Sequence, residues 1–86
     1  MGQKKKFKLL QRAKTSPRGW TVSELKELYS SFGFIITNGS SHDIAKHPDL
    51  RSKRRATITR SSGDISPAYV TTAVELITEL LDQDKG

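Results

Sequence analysis

The sequence predicts a small α+β domain in which a three-stranded antiparallel sheet packs against helices. Two segments repeat apolar residues every three and four positions, which is the spacing of an amphipathic helix. Between these segments lie three short runs rich in β-branched residues, separated by turn residues. With a basic helix in front, the expected order is helix, helix, strand, strand, strand, helix, with a meander covered by helices on one face.

Composition is consistent with one modest domain. The chain has 86 residues, of which 34% are hydrophobic, and it has no cysteine. Disulfides, thiolate catalysis and cysteine-based zinc sites are therefore excluded. No apolar run approaches the roughly 20 residues that a membrane span needs, so we expect a cytoplasmic protein without a membrane partner.

The formal net charge of +6 is concentrated in two basic blocks. The first consists of Lys4, Lys5, Lys6, Lys8, Arg12, Lys14 and Arg18, and the second of Lys46, Arg51, Lys53, Arg54, Arg55 and Arg60. Surfaces of this kind commonly bind phosphate backbones, because each neutralised phosphate releases condensed counterions. A merely solubilising surface is the alternative.

Residues 1–20 are expected to form a basic N-terminal helix and its connection, and residues 21–82 the main domain. Apolar residues at Phe7, Leu10 and Ala13 indicate a helix over 4–14, which Pro17 ends. Trp20 then stands at the entrance of the next helix, where we expect it to anchor the core.

Capping signals define the two helices of the main domain. Thr21 and Glu24 have the spacing of a capping box, and Gly33 is placed to end that helix. At the last helix, Ser66 is the expected N-cap and Pro67 the first helical residue. This helix should run to about residue 82.

Three strands are expected over 34–37, 42–47 and 55–60. The pair Asn38-Gly39 is a strong hairpin signal, so the chain should reverse direction there.

Both histidines lie within 38–48, where His42 begins the second expected strand and His47 ends it. The turn residues Gly39, Ser40 and Ser41 lead directly into His42, so its imidazole should stand near a turn whose backbone can approach a ligand closely. Strand alternation would place His42, Ile44 and Lys46 on one face. An ordinary hairpin corner with a surface histidine is the simpler interpretation.

Several motifs recur together in one known family. They are Gly33-Phe34, Gly39-Ser40-Ser41-His42, His47-Pro48-Asp49, Thr57-Ile58 and Ile65-Ser66-Pro67-Ala68-Tyr69-Val70. In these motifs and in the order of elements, most of the chain resembles the HicA-like mRNA interferase toxins of bacterial type II toxin–antitoxin systems.

The resemblance implies a double-stranded-RNA-binding-domain-like fold, cleavage of mRNA by one essential histidine, and neutralisation by a HicB-type antitoxin. The family histidine falls on His42. The family glycine position holds Ser40, with Gly39 one residue early, and a second histidine and an aromatic residue are replaced by Asp43 and Ala45.

The chemistry expected of His42 is general base catalysis without metal or cofactor, because imidazole ordinarily titrates near pH ~6.5. Removing the proton from a ribose 2′-hydroxyl would let its oxygen attack the adjacent phosphate and form a 2′,3′-cyclic phosphate. Nearby cations would bind RNA or stabilise charge on the phosphoryl oxygens. The candidates are Lys46, Arg51, Lys53, Arg54, Arg55 and Arg60.

Alternatives remain open for this site. His47 could be a general acid, but a histidine before a proline at a strand end is more often structural. A metal site is disfavoured, since alternation directs the two histidines to opposite faces and no third ligand is evident. The competing functions are a non-catalytic RNA-binding module using both basic blocks and a protein-interaction domain.

Overall fold

The computed structural model describes residues 2–85, and the side chains of residues 5–83. The helices are α1 (Gly2–Thr15), α2 (Val22–Ser31) and α3 (Pro67–Lys85), and the strands are β1 (Ile35–Asn38), β2 (Asp43–Lys46) and β3 (Arg55–Ile58). The predicted α+β class and the predicted order of elements are confirmed. α1 extends beyond the expected 4–14 at both ends, and α3 continues past residue 82. The Lys4 side chain lies outside the described side chains.

The ends of α2 follow the predicted capping signals. Thr21 accepts a hydrogen bond from the Glu24 backbone N–H at 3.3 Å, and the Glu24 carboxylate accepts one from the Thr21 N–H at 3.1 Å. At the other end, the N–H groups of Gly33 and Phe34 donate to the carbonyls of Ser30 and Tyr29, which is the Schellman pattern. Gly33 has φ 84, the left-handed conformation that this closure requires.

Replacing Gly33 with alanine is expected to destabilise the fold by about 1–2 kcal/mol from the left-handed backbone alone. A further cost is expected because a Cβ at this position would lie 3.0 Å from Nε2 of His47. Gly19 has φ 75 but open space around it, so Gly19→Ala measures the backbone cost without the contact. Urea denaturation should rank Gly33→Ala as more destabilising than Gly19→Ala. Equal losses of stability in the two variants would show that the His47 side chain moves away from the new Cβ without cost.

The sheet has the order β1-β2-β3 with antiparallel pairing throughout. Two rows across it point in opposite directions. Ala45 and Ala56 pair on the inner face and are buried under the helices. Lys46 and Arg55 pair on the outer face and are exposed. The predicted meander with one covered face is confirmed.

Strand bounds differ from the predicted ones by one or two residues. β1 starts at Ile35 because the Phe34 N–H is already bonded in the α2 closure. Asn38 belongs to β1 and pairs with Asp43, so the chain reverses over 39–42 and not at the Asn38-Gly39 pair itself. β3 ends at Ile58, the partner of Asp43. The next pairing would need His42, the residue before β2, and His42 already lies in the turn.

One hydrophobic core joins all three helices to the sheet. α1 contributes Leu10 and Ala13 to it, so the basic N-terminal helix packs as part of the same unit. Trp20 is fully buried, as predicted, and its indole N–H donates to the Ser16 carbonyl at 2.8 Å. The Arg12 guanidinium covers the indole ring at 4.4 Å from the centroid. None of the described helices is long and apolar enough to cross a membrane.

Candidate functional site

His42 is the last residue of the loop that joins β1 to β2, and it is exposed. Its carbonyl accepts a hydrogen bond from the Gly39 N–H at 2.9 Å, which closes the four-residue loop 39–42. A Cβ at Gly39 would lie 2.5 Å from that same carbonyl oxygen, so only glycine fits there without a shift. Gly39, Ser40 and Ser41 therefore form the turn beside His42, as the sequence predicted.

Asp43, the next residue, is a buried carboxylate held by two cations. Its side chain is 3% exposed and lies on the inner face of the sheet. One oxygen is 2.7 Å from Nζ of Lys26 on α2, and the other accepts bonds from the Arg60 guanidinium at 2.9 and 3.2 Å. Hydrogen bonds from Lys26 and then from Arg60 hold the pKa of Asp43 below its usual range, so the carboxylate is charged at neutral pH.

Arg60 also binds the loop directly. Its guanidinium donates to the carbonyl of Gly39 at 2.7 Å and to that of Ser40 at 3.4 Å. One side chain from beyond β3 thus binds both the loop and Asp43. We call Asp43, Lys26 and Arg60 the brace, since together they fix the backbone on both sides of His42.

The cations predicted to act with His42 divide into two groups. Arg60 lies at the His42 end of the sheet, in the brace. Lys46 lies at the other end of β2, four residues away, or roughly 13 Å along the strand. Ile44 and Lys46 do share the outer face, as predicted, but Lys46 does not lie beside His42.

The basic loop between β2 and β3 also lies at the Lys46 end, and part of it is engaged by α3. Arg54 forms ion pairs with Glu79 at 3.2 Å and Glu75 at 3.8 Å. The Arg51 N–H donates to the Gln83 side chain at 3.1 Å. Ser52 donates to Glu79. These contacts fix the loop on the helix and leave the Arg54 charge largely neutralised.

Four cations of the second block have no such partner among the described side chains: Arg51, and three that lie together at the end of the sheet. Among the side chains of 5–83, no carboxylate lies within 4 Å of the charged group of Lys46, Lys53 or Arg55. All three line a shallow depression of about 350 Å³ at the end of the sheet. Its other lining residues are Ile35, His47, Pro48 and Arg54.

The His47 side chain lines this depression, and two contacts hold its ring in place. Its Nδ1 accepts a hydrogen bond from the Asp49 N–H at 3.0 Å, and its ring meets Phe34 edge-on at 5.1 Å between centroids. These two contacts are consistent with the structural role favoured from the sequence, which stays a prediction. No group of three or more acidic or histidine side chains in the described part of the chain could hold a metal ion.

Sequence reasoning missed Lys26 and the bracing role of Asp43. A weak signal exists, because Asp43 occupies the same alternation phase as buried Ala45, where a charge needs partners. Its two cationic partners are 17 residues away in each direction, and pattern reading does not identify contacts at that range.

Comparison of the chain with protein-family models, with curated proteins and with solved structures found no match. The resemblance to HicA-like toxins therefore stays a prediction.

Proposed function

We propose that this protein is a metal-independent endoribonuclease that cleaves mRNA with His42 as general base, and that it is the toxin of a type II toxin–antitoxin pair. The observation that carries the proposal is the brace. An exposed imidazole on an otherwise ordinary hairpin needs no such support, yet here a buried carboxylate and two cations fix the loop that holds it. Positioned groups of this kind are what proton transfer in catalysis requires.

The proposed reaction begins with one proton transfer. His42 takes the proton of a ribose 2′-hydroxyl, and the oxygen attacks the adjacent phosphorus. The bond from phosphorus to the 5′-oxygen breaks, and the leaving oxygen takes a proton from water. The hydroxide so formed takes the proton from His42, which restores the imidazole and leaves a 2′,3′-cyclic phosphate and a 5′-hydroxyl. The Arg60 side chain is 45% exposed and lies against the same loop, so it would contribute positive charge near a phosphate bound at His42, in part offset by its pairing with Asp43.

A HicB-type antitoxin protein is the proposed partner. The net charge of +6 and the exposed cations of the outer sheet face suit an acidic segment that would cover His42.

The second candidate is an RNA-binding module without catalytic activity. It is favoured by the separation of the unpaired cations from His42, since Lys46, Lys53 and Arg55 lie at the opposite end of β2. In that case the histidine would be incidental and the basic surface would bind RNA through phosphates alone.

Incubation of purified protein with RNA in EDTA distinguishes the two. The nuclease is expected to cleave in the presence of the chelator and to leave 2′,3′-cyclic phosphate and 5′-hydroxyl ends. RNA carrying 2′-O-methyl groups throughout should remain intact, because the attacking oxygen is blocked. Salt-sensitive binding with no cleavage of either RNA would instead support the module, and cleavage that EDTA abolishes would contradict the mechanism.

A further inference from the structure

The depression at the end of the sheet combines two features that oppose folding. Lys46 and Arg55 are directly opposite each other across β2 and β3, where like charges repel. Lys53 has φ 61, and within 2–85 it is the one residue other than glycine with positive φ. Strained backbone and repelling charge at one place favour a role in binding an anion.

The lining of the depression is not purely cationic. Ile35 is 48% exposed and continues the row formed by Lys46 and Arg55, and Pro48 provides a second apolar surface. A ligand that used the whole site would carry a negative charge next to a flat apolar group. The volume of about 350 Å³ is at the lower end of small-ligand sites, which suits one nucleotide.

We propose that this depression is a nucleotide subsite for single-stranded RNA, with the phosphate between Lys46 and Arg55 and the base against Ile35 and Pro48. The inference rests on the proposed function, and it names the form of RNA that the protein recognises. A duplex keeps its bases stacked inside and would leave the apolar surfaces unused. Since the subsite is roughly 13 Å from His42 along β2, it takes a nucleotide that flanks the cleaved one.

The outer face of the sheet connects the two places. Between them lies the row Thr37, Ile44 and Thr57, which is uncharged and at least partly exposed. A single strand that lies along this row meets no charge from these three residues. Arg54 takes little part, because Glu75 and Glu79 already neutralise it.

Fluorescence anisotropy with a labelled 2′-O-methyl RNA decamer tests the subsite. This probe is not cleavable, so binding is measured whether or not the protein is a nuclease. The double variant Lys46→Ala/Arg55→Ala should bind the single strand at least about tenfold more weakly, with a salt slope lower by about 0.7 for the one lost phosphate contact. Lys14→Ala/Arg18→Ala removes the same charge from exposed positions of the first basic block. A loss below about threefold is expected, and a loss equal to that of the Lys46/Arg55 variant would show that binding follows overall charge and would overturn the subsite.

Two further arms identify the ligand. Ile35→Ser should weaken binding of the strand without changing the salt slope, because it removes a base contact and no charge. The matching 2′-O-methyl duplex should bind at least about tenfold more weakly than the strand. Wild-type affinity in the Lys46/Arg55 variant, equal affinity for duplex and strand, or no effect of Ile35→Ser would overturn the subsite. If the labelled strand did not bind, and a glutamate-rich peptide bound the wild type but not the Lys46/Arg55 variant, the depression would belong to an acidic protein partner instead.

Failure of the subsite and failure of the proposed nuclease are separable. If the nuclease proposal alone is wrong, uncleavable and natural RNA bind alike and neither is cut. If the subsite alone is wrong, natural RNA is cut while the Lys46/Arg55 variant retains wild-type affinity.

Discussion

Replacement of His42 by alanine is expected to lower the rate of RNA cleavage by about 10²–10⁴-fold, the usual contribution of a positioned general base. The loss should fall on the chemical step, because His42 is exposed on the loop and the phosphate contacts proposed for binding lie elsewhere. Single-turnover cleavage of a defined RNA measures it directly. In cells, expression of the wild type should arrest growth, and the variant should relieve the arrest.

His47 provides a matched control for this experiment. His47→Ala also removes one imidazole, but this ring is at the other end of β2 and is occupied by the Asp49 N–H. Its loss should reduce cleavage less than about tenfold, through weaker RNA binding alone. Undiminished cleavage by His42→Ala would refute the assigned role, and a larger loss in His47→Ala would move the catalytic role to the depression.

Replacement of Asp43 by asparagine should both lower stability and slow cleavage. The side chain keeps its shape but loses the charge that pairs with Lys26 and Arg60, so two cations remain near a buried neutral amide. We expect Tm to fall on the order of 10 °C. Cleavage should fall by about tenfold or more, because Arg60 would no longer be anchored beside the His42 loop.

The pH dependence of stability gives an independent measure of how much the brace contributes. Lys26 and Arg60 lower the pKa of Asp43 in the folded state, so its stabilising contribution is complete above the pKa of an unfolded aspartate, about 3.9. It is lost as the pH falls further and the folded carboxylate takes up its proton. The free energy of unfolding of the wild type should therefore decrease in acid below about pH 4, and this decrease should be smaller in Asp43→Asn.

Asp82→Asn is the control for these measurements, since Asp82 is exposed on α3. Its Tm should stay within a few degrees of the wild type, and it should keep the acid-induced decrease. If Asp43→Asn were as stable as Asp82→Asn and cleaved RNA as fast as the wild type, the brace would contribute nothing to holding the loop. A stable Asp43→Asn protein that cleaves slowly would show that the brace acts on the position of His42 alone.

Local patterns were sufficient for most of the elements. The α2 boundaries were predictable because both ends are fixed by residues three to five positions apart. At the start these are Thr21 and Glu24 of the capping box, and at the end they are the hydrogen bonds that close the helix around the left-handed Gly33. The start of α3 follows from Ser66 and Pro67 for the same reason. Strand ends were less accurate, since they depend on which residue of a neighbouring strand remains free to pair.

The sequence predicted where the candidate site lies along the chain, but not which side chains contact one another there. The sequence by itself determined that His42 follows a glycine-containing turn and that Ile44 and Lys46 share a face, because both statements depend on neighbouring residues and strand alternation. The second basic block is continuous enough in sequence to suggest one surface.

Only the tertiary structure decided how those charges are used. It assigns Arg60 to the brace, Arg54 to α3, and Lys46, Lys53 and Arg55 to a depression at the far end of the sheet. The physical reason is that the first two assignments depend on a carboxylate or carbonyl distant in the chain: Asp43 and Gly39 for Arg60, Glu75 and Glu79 for Arg54. The third depends on the packing that brings Ile35, Lys46 and Arg55 together without such a partner. Charge pairing of this kind is set by how β3 and α3 pack, and local sequence carries no record of it.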